Sequence, residues 1–245
     1  KNCIHLSKMA RKGDSVILQQ SQPAMLLFAI VVAYWSKASL YMVQYNAEPM
    51  DRKYFRVLMF LAKWKIKGLI CPDDAVGSAY KLPYCAVPDY IYIENKNTVS
   101  QKSIKDWSSK RYDFCLVGRL NNDKGVVEAC RKIRSTPYSF IVAGRPDDES
   151  FGECLKNICD GADNITLILD YIPNDLYLKI LNESRYALMN YQGDYANRSS
   201  GVVLDTIFAG VPVVGCRCNA LKFVEENEIG YLYDKIDDFD LVEVV

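Results

Sequence analysis

The chain has 245 residues, 50% of them hydrophobic and 24% charged, which is typical of a globular protein with one large or two small α/β domains. Because 30 basic residues balance 30 acidic ones, net charge gives no argument for a nucleic-acid partner. The one histidine, His5, excludes a mechanism that needs several histidines. The nine cysteines contain no CxxC pair of the kind that binds structural zinc, and we interpret them as reduced thiols of a cytoplasmic protein.

The first part of the chain is predicted to alternate between strands and helices. We expect strands at residues 15–20, 39–46, 68–73 and 86–94. We expect helices at residues 24–35, opened by Pro23, at residues 51–67, capped by Asp51, and at residues 74–80. Short strands separated by helices indicate a parallel sheet.

The most hydrophobic stretch of the sequence is the run AMLLFAIVVAYW at residues 24–35. It is shorter than the roughly 20 residues that span a bilayer, so we predict a buried helix. It also comes too late to be a secretory signal. Because the chain starts with Lys1 rather than Met, we expect the natural protein to begin upstream.

Residues 95–111 are polar, lack apolar periodicity and are predicted to be a linker between a partial domain at 1–94 and a nearly complete domain at 112–245. In the second domain we expect strands near 112–117, 138–143, 164–169, 186–190, 211–215 and 230–233. We expect helices near 125–134, 149–159, 174–182, 200–209 and 219–226. This pattern fits one doubly wound parallel sheet, and the two-domain layout predicts a ligand cleft between the domains.

The stretch VGRLNNDKGVVEAC at residues 117–130 is predicted to run from a buried strand into a helix. Arg119 and Lys124 lie on the connecting loop, at the carboxyl end of the strand, where open α/β sheets bind ligands. Two cations beside a helix N-terminus suit a phosphate or diphosphate. The alternative is a solvated loop with ordinary surface cations.

A second informative stretch is NRSSGVVLDTIFAGVPVVG at residues 197–215. The small residues Ser199, Ser200 and Gly201 open a helix whose first backbone amides would form an anion site. One turn into the helix, the carboxylate of Asp205 could accept hydrogen bonds from the paired hydroxyls of a sugar. The alternatives are plain N-capping by the serines and an exposed helix residue at 205.

Four sequence motifs in order resemble one protein family. They are GRLNNDKG at 118–125, IVAGRPDD at 141–148, SSGVVLDTIFAGVPVVG at 199–215 and VEENEIGYLY at 224–233. Together they resemble the donor-binding domain of the retaining GT-B glycosyltransferases known as group 1 or GT4. YMVQYNAEP at 41–49 adds weaker similarity to that family's first domain. The resemblance implies an α/β protein with two Rossmann-like domains, the first of them incomplete.

The resemblance also assigns roles to individual residues. Arg119 and Lys124 would bind the nucleotide diphosphate and neutralise the leaving group without a metal ion. The amides of residues 199–202, which include Val202, would contact the phosphates, and Asp205 would bind the ribose. The family's first acidic residue, which contacts the transferred sugar, falls on the uncharged Asn197.

The nucleotide base is expected to lie against two loops of the second domain. One contains Gly144, Arg145 and Pro146, and the other contains Tyr171–Pro173. Gly118 completes the predicted site beside the diphosphate. No cofactor is implied other than the nucleotide-sugar donor, for which UDP is the family's commonest nucleotide and GDP the alternative.

The function implied by the resemblance is transfer of a sugar to a saccharide or lipid-linked acceptor with retention, in polysaccharide or glycoconjugate biosynthesis. The acceptor would attack on the face that the diphosphate leaves, and the leaving phosphate would serve as the base. Asn197, and Tyr45 where the family often has a histidine, favour a second hypothesis, a non-catalytic nucleotide-sugar-binding subunit. A third hypothesis, a nucleotide-sugar epimerase, has few candidate residues.

Residues 51–67 combine six cations with large apolar side chains. A basic amphipathic helix can lie on an anionic membrane surface, which would place a cytoplasmic enzyme peripherally at the inner face of a membrane. The alternative is a helix that packs on the core and exposes a solvated basic face.

Overall fold

The computed structural model describes residues 5, 9–19, 23–87, 109–197 and 200–236. The chain divides into two compact units, Lys1–Asp89 and Tyr90–Val245, each with its own sheet. In the described part of the chain, no helix is both long enough and apolar enough to cross a membrane. Of the strand expected at 86–94, residues 88–94 lie outside the described residues, and the described strand begins earlier, at Tyr84, and ends at Ala86. Residues 95–108 of the expected linker also lie outside the described residues.

The first unit is a four-stranded parallel sheet with the strand order β1-β2-β3-β4. Its elements are β1 (Ser15–Gln19), α1 (Pro23–Ser36), β2 (Ser39–Val43), α2 (Lys53–Ala62), β3 (Ile66–Cys71), α3 (Asp74–Tyr80) and β4 (Tyr84–Ala86). Because the strand order follows the sequence and crossovers are right-handed, the three helices share one face of the sheet. Alternate residues of β1 and β2, such as Val16 and Leu40, are buried in the core.

Helix α1 forms where it was predicted, but the prediction that it is buried was wrong. Leu26 and Ile30 lie in the core of the first unit, whereas Tyr34 is 54% and Trp35 is 84% exposed. The run is apolar on every side, so its sequence does not show which side faces the sheet. A helix in a single layer on a sheet contacts the strands along one side only.

Helix α2 is shorter than predicted, and its cap is different. It begins at Lys53 and ends at Ala62, and Asp51 belongs to a short 3-10 helix that precedes it. The sequence from Lys63 retains helical periodicity, but Ile66 pairs with Leu40 of β2 and starts β3 instead. Pairing with a neighbouring strand thus overrides the local helical preference.

The second unit is a six-stranded parallel sheet with the order β10-β9-β8-β5-β6-β7. Its strands are β5 (Tyr112–Val117), β6 (Phe140–Ala143), β7 (Ile165–Ile168), β8 (Ser184–Met189), β9 (Val213–Cys216) and β10 (Gly230–Tyr233). Its helices are α4 (Val126–Ile133), α5 (Glu149–Cys159), α6 (Asn174–Glu183), α7 (Gly201–Phe208) and α8 (Lys222–Glu226). The predicted doubly wound sheet is confirmed, as is the α/β class with two Rossmann-like parallel sheets.

The order of the second sheet reverses between β5 and β8. Strand β5 pairs with β6 on one side and with β8 on the other, and the chain proceeds outward from each. Ligands bind at such switch points, outside the carboxyl ends of the strands. The loops that follow β5, β6 and β8 are therefore the expected location of a site.

The central strand β5 supplies the core on both faces of this sheet. Phe114 and Leu116 pack with α4 and α5 on one face, while Cys115 and Val117 pack on the other with residues of α6 and α7. The ring of Phe114 is fully buried, with its centroid 5.7 Å from that of Tyr186. The position of the loop after β5 thus depends on this core.

We expect Phe114→Ala to lower the free energy of unfolding by about 3–5 kcal/mol, because it removes a buried ring and leaves a cavity. Urea unfolding followed by circular dichroism measures this loss. The matched control is Leu178→Ala in α6, whose side chain is 40% exposed and whose loss should change stability little. Equal effects of the two substitutions would contradict this description of the core.

Candidate functional site

Two glycines allow the loops after β5 and β6 to run side by side at the carboxyl edge of the sheet. Gly118 has a φ of +95° and Gly144 a φ of +150°, and a Cβ on Gly144 would lie 1.7 Å from the carbonyl oxygen of Gly118. Beyond them, the Leu120 N–H donates to the Arg145 carbonyl oxygen at 2.9 Å, and the Asp147 N–H donates to that of Leu120 at 2.9 Å. A side chain at residue 144 would separate these loops.

A pocket of about 510 Å³ opens beside these loops, within the second unit. It is lined by Gly118, Arg119, Gly144, Arg145, Pro146, Asp147, Tyr171, Ile172 and Tyr177. These residues come from the loops after β5, β6 and β7 and from the first turn of α6. The pocket therefore brings together Gly118 and Arg119 with residues of the two loops to which the sequence analysis assigned the base.

Lys124 is buried, with 2% of its surface exposed. It is the last residue of a short 3-10 helix, Asn122–Lys124. Asn121, which caps the start of this helix, accepts a hydrogen bond on its side chain from the Lys124 N–H at 3.1 Å. The Nζ atom lies 5.3 Å from the ring centroid of Tyr195 and 3.3 Å from the position of a Cβ on Gly118. A larger residue at 118 would therefore press on the ammonium group.

Burial lowers the pKa of Lys124 to about 8. The carboxylate of Asp147 opposes this shift, and the positive charge of Arg119 adds to it. Near neutral pH the ammonium group is still mostly protonated, but it has little water around it. An anion that reached it would be attracted more strongly than by an exposed lysine.

Arg119 lies at the rim of the pocket, where its side chain is 73% exposed. Its guanidinium forms an ion pair with Asp147, whose side chain is 35% exposed. Exposed pairs of this kind contribute little to stability, so a more highly charged anion could displace the carboxylate. Asp147 is a site residue to which the sequence analysis gave no role, although it lies in one of the four motifs.

The first turn of α7 lies next to Gly118 and close to Lys124. Val202 Cγ2 is 3.3 Å from the position of a Cβ on Gly118, the same separation as Lys124 Nζ. Gly201 is exposed, and a Cβ there would meet no atom within 4 Å. The backbone amides of a helix N-terminus point outward along the axis, which makes this turn a favourable place for an anion.

The serine hydroxyl at the start of α7 does not cap the helix, so the N-capping alternative is wrong for Ser200. Ser200 is buried, and its Oγ atom is 2.9 Å from the Tyr191 hydroxyl oxygen. Ser199 lies outside the described residues. Asn197 ends a 3-10 helix, Gly193–Asn197, and its side chain lies outside the described residues.

Asp205 does not line the pocket, but it contacts a residue that does. The Tyr177 hydroxyl donates a hydrogen bond to Asp205 Oδ2 at 2.9 Å. Burial and the charge of Asp205 raise the pKa of Tyr177, so the phenol remains a neutral donor. Periodicity and spacing carry no signal for Tyr177, because the contact joins residues 28 positions apart on different helices.

The remaining expectations concern a metal and the first unit. Among the described residues there is no group of three or more His, Cys, Asp or Glu side chains that could hold a metal ion. Tyr45 follows β2 in the first unit. The sequence thus named most of the residues around the pocket and missed Asp147 and Tyr177, as well as Tyr195 beside Lys124.

No protein-family model matches the sequence, and no curated protein matches it. Solved structures do match. A UDP-forming α,α-trehalose-phosphate synthase from Burkholderia vietnamiensis is 12% identical, with a TM-score of 0.71 over 94% of this chain and 63% of that chain. HepE from Anabaena, in complex with UDP, is 14% identical, with a TM-score of 0.74 over 96% and 68%. The pneumococcal O-GlcNAc transferase GtfA, with UDP and GlcNAc, is 16% identical, with a TM-score of 0.63 over 97% and 49%.

These similarities establish the fold. Both sheets take part, since the matches cover 94–97% of the chain, and the two Rossmann-like parallel sheets expected from the sequence are consistent with the GT-B fold. The chain spans 63% of the length of the trehalose-phosphate synthase and 49% of that of GtfA. At identities of 12–16%, roles of individual residues do not follow from the fold.

We expect the stability of the chain to rise by about 2 kcal/mol between pH 8 and pH 9.5 through Lys124 alone. Over this range the unfolded lysine still binds its proton while the folded one has lost it, so stability increases with pH. This contribution of Lys124 to the free energy of unfolding is fully present above the pKa of an unfolded lysine, and it is lost as the pH falls through the folded pKa of about 8. Urea unfolding at several pH values, compared with Lys124→Met, isolates it. Parallel curves for the two proteins would show that the ammonium group is not held away from water.

Proposed function

We propose that the chain binds a nucleoside diphosphate sugar in its second unit and transfers the sugar, with retention, to a saccharide or lipid-linked acceptor. The observation that carries the proposal is the position of Lys124. Its buried ammonium group lies beside Gly118 and the first turn of α7, at the switch point of the sheet and next to a pocket of about 510 Å³. Solved structures with this fold include a UDP-forming synthase and two proteins in complex with UDP, which supports UDP as the nucleotide.

The diphosphate would lie between two cations and a helix N-terminus. Lys124 provides a charge in a poorly solvated position, and the first turn of α7 adds its backbone amides next to Gly118. Arg119 would exchange its ion pair with Asp147 for a phosphate oxygen. The resulting attraction strengthens when the glycosidic bond breaks, because the diphosphate then gains negative charge.

The transfer itself would need few protein groups. The acceptor hydroxyl oxygen attacks the anomeric carbon on the face from which the diphosphate leaves, so the configuration is retained. The bond between the anomeric carbon and the phosphate oxygen breaks, and that oxygen takes the proton of the acceptor hydroxyl. Lys124 and Arg119 offset the charge of the leaving group, a role that does not require a metal ion in this proposal.

The base and the ribose would occupy the pocket. Gly144 and Arg145 form one wall, and Tyr171 and Ile172 form another. The apolar side of Tyr171 offers a surface on which a base can stack. Asp205, which lies behind Tyr177 at the edge of the pocket, would accept hydrogen bonds from the ribose hydroxyls, with its carboxylate oriented by the hydrogen bond from Tyr177.

We further propose that the chain is a retaining glycosyltransferase of the group 1 (GT4) type that acts in the cytoplasm on polysaccharide or glycoconjugate precursors. The support is the order of its four motifs and the closeness of residues from the first three, since Gly118, Arg145 and Val202 lie in or beside one pocket. The second candidate, a subunit that binds the nucleotide sugar without transferring it, is favoured by Asn197 at the position of the family's first acidic residue. Binding without hydrolysis or transfer would support that candidate.

A thermal-shift panel with UDP, GDP, ADP and their sugars, each with and without EDTA, tests the proposal. We expect one nucleotide, UDP, to stabilise the fold with or without EDTA, by about 2.7 kcal/mol at a concentration 100 times its dissociation constant. Arg119→Ala should weaken the shift. Lys124→Ala should remove it and abolish sugar transfer, because the charge nearest the diphosphate is lost.

The matched control is Lys156→Ala, which removes an exposed lysine of α5 from the same unit. It should leave both the shift and the transfer rate unchanged. Two results would refute the assignment: a full shift with normal turnover in Lys124→Ala, or no shift with any nucleotide in the unaltered chain.

A further inference from the structure

The helix layer of the first unit carries two stripes of exposed apolar side chains. The stripe on α1 consists of Leu27, Val31, Tyr34 and Trp35. The stripe on α2 and the turn after it consists of Tyr54, Val57, Phe60, Leu61 and Trp64. The spacing of three and four residues keeps each stripe on one side of its helix. The residues that α2 buries, Phe55, Met59 and Ala62, lie on the other side.

The two stripes are adjacent and form one surface, which we call the α1–α2 face. Lys65, which follows Trp64 directly, has its Nζ atom 4.6 Å from the ring centroid of Tyr34, so the turn after α2 contacts the stripe on α1. The exposed fractions are large for indole rings, 84% for Trp35 and 75% for Trp64. Large contiguous apolar patches of this kind mark interaction surfaces.

The charged residues of α2 and of the turn after it are all basic. From Arg52 to Lys65 the sequence has five cations and no acidic residue, and Pro23–Ser36 has no charged residue at all. Lys63 Nζ lies 4.6 Å from the ring centroid of Phe60 and 5.5 Å from that of Trp64. Ammonium groups thus lie among the exposed rings, and a complementary partner must be apolar and negatively charged together.

We propose that the α1–α2 face docks the chain on a bilayer that contains anionic phospholipids. Trp35, Phe60 and Trp64 insert their rings at the level of the headgroups, where indole and phenyl groups bury apolar area near polar partners. The lysines extend their apolar stems along the rings and place their ammonium groups beside lipid phosphates. This proposal goes beyond the proposed function, which rests on the second unit alone.

A second copy of the chain fits this surface less well than a lipid bilayer. In a two-fold symmetric contact the same patch meets itself, so the cations of α2 and its flanking turn in one copy would face those of the other. Like charges brought together at an interface repel. An anionic bilayer instead offers this surface both negatively charged headgroups and an apolar interior.

Flotation of the whole 245-residue chain with lipid vesicles tests the proposal. We expect the chain to float with vesicles of phosphatidylglycerol and phosphatidylcholine, to remain unbound with phosphatidylcholine alone, and to dissociate as salt is added. Trp35→Ser with Trp64→Ser should reduce binding about tenfold or more, because the inserted area is lost. Lys53→Gln with Lys63→Gln should reduce it about thirtyfold.

Matched controls lie in the second unit. Phe223→Ser removes an exposed aromatic ring of α8, and Lys156→Gln with Lys222→Gln removes two exposed lysines. These variants should bind vesicles like the unaltered chain. The nucleotide-induced thermal shift should be the same in all of them, so a failure here is separable from a failure of the donor-site proposal.

Four results would overturn the proposal. They are absence of flotation with anionic vesicles, equal flotation with neutral ones, equal loss of binding in the control variants, and a dimer that Trp35→Ser with Trp64→Ser dissociates while vesicles fail to bind. The last result would assign the α1–α2 face to a second copy of the chain.

Discussion

The positive charge of Lys124 lies inside the second unit, because only 2% of the surface of this residue is exposed. An ammonium group away from water lowers stability unless an opposite charge offsets the lost hydration. Asp147 acts on it from the pocket rim, but burial dominates and leaves the pKa at about 8. The fold therefore holds a cation that an incoming anion would stabilise.

The rest of the site follows from how the loops approach that charge. The reversal of strand order at β5 and β8 leaves room at one edge, and the glycines at 118 and 144 allow two loops and the start of α7 to come together there. Gly125 has a φ of +61°, and a Cβ there would lie 2.2 Å from the carbonyl oxygen of Asn190, so it lets the turn that carries Lys124 pack against the chain after β8. The glycines thus allow the close packing of loops that buries the long side chain of Lys124.

The two units use their cations in opposite ways. In the second unit the sequence places Lys124 after a buried strand, and the loop packing turns it inward. In the first unit the lysines of α2 and the turn that follows it lie on the outer side, among exposed rings. A buried cation concentrates attraction on one small anion, whereas a spread of exposed cations suits an extended anionic surface.

Most elements of both sheets could be predicted from the sequence, because short apolar runs alternate with helical periodicity. The predictions failed where tertiary packing, rather than the local sequence, determines which residues are exposed and where an element ends. The run at 24–35 is apolar on every side, so nothing in it distinguishes the exposed Trp35 from the buried Ile30. Residues 63–67 continue the helical pattern of α2, yet β2 supplies a strand partner from Ile66 onward.

The candidate site, too, could be predicted only in part from the sequence. The chemistry of Arg119, Lys124 and Asp205 follows from residue type and place in a motif, so the sequence identifies them as candidates. Their partners do not, since the ion pair of Arg119 with Asp147 and the hydrogen bond of Asp205 with Tyr177 join residues 28 positions apart. Such contacts depend on which loops the strand order brings together, and no local pattern encodes them.

The measurement that tests the central claim most directly is a crystal structure of the chain with UDP. The account predicts the diphosphate within hydrogen-bond distance of Lys124 Nζ and of the first amides of α7, with Arg119 released from Asp147 and the uracil in the pocket between Arg145 and Tyr171. A nucleotide bound elsewhere, with Lys124 buried as before and Arg119 still paired with Asp147, would contradict it.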